Sequence, residues 1–187
     1  MDRKRLIMLQ DVEAILLDEA ALANRVHELG EEISRDFAGE EVMLVGILKG
    51  ASVFLSDLIR QISLPAYIDY MVVSSYGNSA ETSGVVRIIK DLEDNIEGKN
   101  IIIVEDIIDT GLTLAYLRQN LLSRHPKSLK ICTLLDKPAR REKEINIDYR
   151  GFEVPDEFII GYGIDYAEKY RNLPFVGLLK REVYENK

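Results

Sequence analysis

The sequence predicts an α/β fold: a mostly parallel central sheet flanked by helices. Several apolar runs have strand length and no polar alternation, such as "VMLVGIL" at Val42–Leu48 and "IIIV" at Ile101–Val104. They alternate with segments whose apolar residues recur at three- and four-residue spacing. The chain has 187 residues, the size of one domain with a substantial core. Strands apolar throughout, alternating with amphipathic helices, form parallel sheets covered on both faces with right-handed crossovers.

Leu22, Val26, Leu29, Ile33 and Phe37 make one helical stripe, with Asp18 as N-cap and Gly39 as stop. Val42–Leu48 is the first buried strand, and Lys49-Gly50 punctuates it. Phe54, Leu58 and Ile62, with Leu55 and Ile59 beside them, give the next helical face. Ala66 to Ser74 is rich in β-branched and aromatic residues and reads as a strand. The polar segment "SYGNSAETSG" from Ser75 to Gly84 reads as a loop, and Val85 to Lys90 as the return strand of a hairpin. Ile101–Val104 is a third strand, followed by a helix marked by Leu114, Leu117 and Leu121. Leu129 to Leu135 is the next strand, and Glu157 to Ile160 and Phe175 to Leu179 are short later ones.

No apolar run approaches the roughly 18–20 residues of a membrane span. Cys132 is the single cysteine, so no intrachain disulfide forms, and its flanks read as a buried strand. It is a core residue rather than a reactive thiol. A reducing cytoplasm fits. With 24 basic against 32 acidic residues, the net charge of −8 disfavours non-specific nucleic-acid binding. An anionic substrate therefore needs a local solution: backbone amides, a few placed cations or a metal. His27 and His125 lack metal-ligand spacing.

Ligands of such sheets bind at the carboxyl ends of the strands. The residues found there are Lys49-Gly50, Ser75-Tyr76, Glu105 to Thr113, Asp136-Lys137 and Asp165. In "VEDIIDTGLT", Gly111 permits close backbone approach, and Thr110 and Thr113 place hydroxyls beside the amides of a nascent helix. That is a phosphate cradle. It is neither a Walker A loop nor a dinucleotide fingerprint. One acid here would be a helix cap. Three acids, Glu105, Asp106 and Asp109, ask for more. Carboxylates repel phosphate but accept hydrogen bonds from vicinal hydroxyls, directly or across Mg²⁺. A sugar diol carrying a phosphate satisfies both halves.

"VEDIIDTGLT" resembles the phosphoribosyl-pyrophosphate (PRPP) signature of the type I phosphoribosyltransferases. "LKGA", "SSYGNS", "LLDKP", "EFIIGYGIDY" and "YRNLP" follow the order and approximate spacing of the bacterial hypoxanthine(-guanine) phosphoribosyltransferases within it. The resemblance runs from about Val42 to Leu179. It implies a single domain over residues 1–187, with a core at about 20–150 and a lid at about 74–90. It implies a hood from the N-terminal segment and about 157–187.

The resemblance also implies roles. Glu105 and Asp106 hold the ribose hydroxyls, and Asp109, Thr110, Gly111, Leu112 and Thr113 hold the 5′-phosphate. Asp109 carries the base proton. Lys49, Gly50 and Arg171 bind pyrophosphate, and the peptide bond before Lys49 can be cis. Lys137 donates to the purine 6-oxygen. Phe158 stacks on the base with Ile164 on its other side, and backbone groups of Ile159 and Asp165 read its edge. Asp165 coordinates Mg²⁺, with Glu105 and Asp106 as further candidate metal contacts. Ser75 and Tyr76 begin the lid. Arg140, Arg141 and Lys143 read as solvated, and Arg87 and Lys90 receive no role.

The implied reaction joins PRPP to hypoxanthine, and to guanine, giving IMP or GMP and pyrophosphate, with Mg²⁺ as cofactor. The expected assembly is a homodimer or homotetramer, with neither nucleic acid nor membrane as partner. A xanthine- or guanine-preferring enzyme is one alternative. A PRPP-sensing, nucleic-acid-binding regulator is another, disfavoured by the acidic charge.

Overall fold

The computed structural model describes residues 8–75 and 86–185, and of Ser75 the backbone only. A six-stranded sheet forms the centre. Its strands are β2 (Val42–Leu48), β3 (Ala66–Ser75), β4 (Val86–Lys90), β5 (Asn100–Ile108), β6 (Ser128–Asp136) and β7 (Tyr149–Glu153). Their order is β4-β3-β2-β5-β6-β7, parallel throughout except for β4, which pairs antiparallel at the edge. A smaller antiparallel sheet joins β1 (Val12–Leu17), β9 (Val176–Leu179) and β8 (Ile159–Ile160) in that order.

The helices explain why the central strands are apolar at every position. Alternate side chains of a strand point to opposite faces. Leu44, Ile102, Val104, Cys132 and Leu134 pack on one face against α1 (Glu19–Asp36) and α2 (Ala51–Leu58). Met43, Val45, Ile101, Ile103 and Ile131 pack on the other against α3 (Leu112–Leu122). A third cluster, with Ile160, Leu173, Phe175 and Leu179, fills the small sheet.

The α1 stripe is buried as its spacing predicts, and Asp18 caps the helix by accepting from the Ala21 amide at 2.8 Å. Such a cap is worth about 1 kcal/mol. Leu114, Leu117 and Leu121 are the buried positions of α3. Cys132 is wholly buried, and burial pushes its thiol far above the ordinary value. His27 and His125 are exposed.

The structure departs from the sequence reading in places. The strand beginning at Ile101 does not stop at Val104. It runs to Ile108, because β6 beside it continues equally far and pairs Ile108 with Asp136. Glu105 and Asp106 are therefore strand residues, not loop residues. The helix after Gly50 ends at Leu58, and a 3₁₀ turn at Ile59–Gln61 leaves Ile62 outside it. The late strands are shorter than expected, at Ile159–Ile160 and Val176–Leu179. Strands β1 and β7 carry too little periodicity to be read from sequence. Tyr76 and the rest of the polar segment to Gly84 lie outside the described residues. Ser75 pairs with Val86, so β3 and β4 flank that segment.

Candidate active site

The level ends of β5 and β6 set the site. Ile108 and Asp136 are register partners, and the Lys137 amide donates to the Ile108 carbonyl at 3.0 Å. Asp109 and Lys137 thus leave adjacent strands side by side. Lys137 is buried, and its amine donates to the Glu157 carbonyl at 2.9 Å. A cavity of about 580 Å³ opens here, within the usual range of small-molecule sites. Lys137, Phe158, Ile159, Ile164 and Asp165, the five residues expected around a base, all line it, and Asp109 joins them. The Phe158 ring stacks on Tyr184 (4.9 Å between centroids, 28°) and meets Tyr166 edge-on at 5.1 Å. Tyr184 belongs to a short helix, α4 (Arg181–Tyr184), which the sequence reading did not connect with the site.

A second pocket, of about 200 Å³, lies at the N-terminus of α3 and is lined by Glu105, Asp109, Thr110, Gly111 and Thr113. Gly111 sits at the N-cap with φ +83°, the left-handed region that favours glycine. A Cβ there would come within 2.7 Å of the Lys143 carbonyl. Leu112, the first helical residue, points its amide toward the Thr110 hydroxyl at 3.4 Å. Amides at a helix start favour an anion. Asp109 lines both cavities, so it stands at their junction. Its Oδ1 is buried without a hydrogen-bond partner, and its Oδ2 lies 3.4 Å from Arg140.

The basic tract after Lys137 is not simply solvated. Arg140 is half exposed, but Arg141 is buried against Asp136 and donates to the Asp109 carbonyl at 3.1 Å. Asp136 is sealed from solvent and needs cations, so it draws in Arg141 and also Arg150, at 3.0 Å. The Thr110 carbonyl accepts from the Glu142 and Lys143 amides at 3.0 Å each. The tract thereby braces the phosphate-sized pocket. The clue available in the sequence was an acid, Asp136, ending an otherwise apolar strand.

Glu105 and Asp106 are neighbours on one strand and project to opposite sides. Glu105 faces the smaller pocket, whereas Asp106 packs so closely on Gly50 that a Cβ there would lie 1.8 Å from its Oδ2. Burial raises the Glu105 carboxyl well above the usual carboxylate range, and Asp106 adds to this. Burial also lifts Asp106 to about 6, against backbone hydrogen bonds and Arg171, which lower it, and with Asp165, which raises it.

The remaining residues form a cluster at the end of β2. The Leu48–Lys49 peptide bond is cis. Gly163, at φ +101°, approaches Gly50 so closely that a Cβ would stand 2.3 Å from the Gly50 carbonyl. Arg171 donates to the Gly163 carbonyl at 2.8 Å and pairs with Asp165 at 2.7 Å. The exposed Lys49 pairs with Glu168 at 2.9 Å. Glu168 received no role from the sequence, although an acid three residues before Arg171 was a legible sign.

As to a metal, no group of three or more His, Cys, Asp or Glu side chains converges among the described residues. Asp165 offers a hard oxygen donor beside a cation, with Asp106 near enough to feel its charge. This donor set fits Mg²⁺, which is commonly held by one or two carboxylates together with substrate phosphates.

The family model of the phosphoribosyl transferase domain matches residues 13–167. A hypoxanthine-guanine phosphoribosyltransferase of Bacillus subtilis (strain 168) is 51% identical over 96% of this chain and 100% of its own length. One from Mycobacterium avium is 48% identical over 94% of this chain and 89% of its own. The crystal structure of a Staphylococcus aureus hypoxanthine phosphoribosyltransferase superimposes with a TM-score of 0.92 at 49% identity, covering 95% of this chain and 97% of that one. Family match, close relatives and a shared architecture lead to one conclusion: this chain belongs to the phosphoribosyl transferase family, in its hypoxanthine-guanine group.

Proposed function

We propose that the chain transfers the 5-phosphoribosyl group of PRPP to hypoxanthine, and to guanine, forming IMP or GMP and pyrophosphate in purine salvage. The observation that carries this reading is the position of Asp109. It lines both a cavity that can take a small planar ligand and a helix-start pocket suited to one phosphate.

The 5′-phosphate is held by the amides and hydroxyls from Asp109 to Thr113. Glu105 and Asp106 accept from the ribose hydroxyls. Lys49, Gly50 and Arg171 receive the pyrophosphate. The base enters the larger cavity against Phe158, with Ile164 opposite and backbone groups of Ile159 and Asp165 at its edge. Base nitrogen N9 attacks ribose C1′ as the C1′–pyrophosphate bond breaks, and the base proton passes to Asp109. Positioned proton transfer of this kind is worth roughly 10²–10⁴-fold. Lys137, a cation fixed in a buried position, donates to a 6-oxygen, whereas the 6-amino group of adenine cannot accept.

Asp165, with Asp106 and Glu105 as further candidates, would hold Mg²⁺, which when bound would supply charge neutralisation for the leaving pyrophosphate. The small β1-β9-β8 sheet acts as a hood, and residues 74–90 act as a lid that excludes water from the reacting carbon. The protein works in the cytoplasm as a homodimer or homotetramer. No described helix is long and apolar enough to cross a membrane.

The test is turnover with PRPP and each of hypoxanthine, guanine, xanthine and adenine, with and without Mg²⁺. Turnover of hypoxanthine that requires Mg²⁺ is expected. High activity on adenine overturns the role of Lys137, and preference for xanthine moves the enzyme to a different purine.

A further inference from the structure

The two cations assigned to pyrophosphate converge on one carboxylate of the chain. Glu168 places Oε2 2.9 Å from the Lys49 ammonium and Oε1 3.6 Å from an Arg171 guanidinium nitrogen. One carboxylate thus spans both cations with its two oxygens, as two oxygens of a diphosphate would. Lys49 and Glu168 are far apart in sequence and meet only because the hood folds over the end of β2.

The turn that presents Glu168 is specially shaped. Ala167 and Glu168 both adopt left-handed backbone, at φ +50° and +63°, a region costly for residues other than glycine. The turn is held by two Tyr166–Lys169 backbone hydrogen bonds, and by the Glu168 amide donating to Asp165 Oδ2 at 2.8 Å. Asp165 is itself paired with Arg171 at 2.7 Å. Lys49, with Arg171 behind it, holds the Glu168 carboxyl below the usual range. Side chains of Lys49 and Glu168 stay about two-thirds exposed, at 67% and 65%, so incoming solute can exchange with them.

Resting on the functional reading above, we propose that Glu168 is an internal counter-anion of the pyrophosphate subsite. Between turnovers it neutralises Lys49 and Arg171. The pyrophosphate group of PRPP displaces it, and it returns to both cations as product pyrophosphate leaves. Glu168 therefore weakens pyrophosphate binding and hastens its release. Asp165 is not displaced, because its second oxygen is tied to the turn.

The experiment compares wild type with Glu168→Gln, which keeps size and loses charge, and Glu168→Asp, which is too short to span both cations. Titration calorimetry with inorganic pyrophosphate and Mg²⁺ is run beside product-inhibition kinetics. Exposed ion pairs of this kind are worth about twofold to fivefold in an equilibrium, so Glu168→Gln should bind pyrophosphate tighter by about that factor. Glu168→Asp should fall between the two. Where product release limits the rate, kcat should drop as affinity rises. Equal or weaker binding by Glu168→Gln overturns the proposal, since a residue that only supports the turn would lower affinity when changed. If wild type turns over no purine with PRPP and binds no pyrophosphate, the functional reading falls and this inference with it. If wild type turns over and Glu168→Gln binds no tighter, only the inference falls.

Discussion

Asp109 and Lys137 leave their strands side by side because Ile108 and Asp136 are register partners. Their chain separation is long, yet a single backbone hydrogen bond of 3.0 Å, from the Lys137 amide to the Ile108 carbonyl, locks their spacing. The residues proposed as proton carrier and base-reading cation are thus set by sheet register, not by loop packing. Separate losses are expected when each is changed.

Asp109→Asn should retain PRPP binding and lose about 10²–10⁴-fold in kcat. Steady-state kinetics and equilibrium PRPP binding, measured on the same preparation, decide the matter. Parallel loss of both would remove Asp109 from proton transfer and leave it a phosphate-loop residue.

Lys137→Ala should raise the KM for hypoxanthine about tenfold or more while changing that for PRPP little, since a charged hydrogen bond is worth about 1.5–3 kcal/mol. A variant weakened equally toward both substrates would point instead to collapse of the Glu157 loop, which the Lys137 amine holds at 2.9 Å.

Arg141→Met should cost about 2–4 kcal/mol of stability, because it strips one partner from the buried Asp136 and leaves Arg150 to compensate. Arg140→Ala, at the adjacent residue of the same basic tract, should change stability by less than about 0.5 kcal/mol, its side chain being half exposed. Urea denaturation of the two variants makes the comparison. Equal effects would contradict the distinction drawn between the two arginines.

Asp106 gives a pH signature. Its carboxyl is raised to about 6 by burial, whereas an unfolded aspartate titrates near 4. Between these values the folded chain holds a proton that the unfolded chain has released. Raising the pH through that window therefore lowers stability, and above about 6 the loss is complete. Asp106→Asn should remove up to about 3 kcal/mol of this slope. The readout is the difference in Tm between variant and wild type from pH 4 to 7, without ligand. A constant difference across the range would refute the assignment.

Gly50→Ala should be poorly tolerated, since its Cβ would meet Asp106 at 1.8 Å. Overpacking of this kind costs about 1–3 kcal/mol. The KM for PRPP should rise with it, because the added methyl would push Asp106, proposed for the ribose hydroxyls, away from Gly50, proposed for the pyrophosphate. Unchanged kinetics in a stable variant would show that the carboxylate swings away freely.

Much of this fold is legible in the sequence where burial is two-sided. Val42–Leu48 is apolar at each position because Met43 and Val45 serve one face while Val42 and Leu44 serve the other. The candidate site was legible at strand ends for the same reason, since polar residues stand out against such runs. Tyr149–Glu153 was not legible. It is a five-residue edge strand containing Arg150 and Gly151, and edge strands need no apolar alternation. Arg141 was missed because a cation among cations reads as solvated until the buried Asp136 is placed beside it. Glu168 was missed because its partner Lys49 is brought near only by tertiary folding.

The small sheet has a consequence for synthesis. Strand β9 lies in its middle, pairing with β1 on one side and β8 on the other. Chains emerge from the ribosome N-terminus first, at about 5–20 residues per second. Val12–Leu17 must therefore wait, without its sheet partner, until Val176–Leu179 has been made. The central sheet can assemble during translation while the small one cannot. A chain halted before Val176 would carry a bare strand edge, the feature by which unfinished proteins aggregate or attract chaperones.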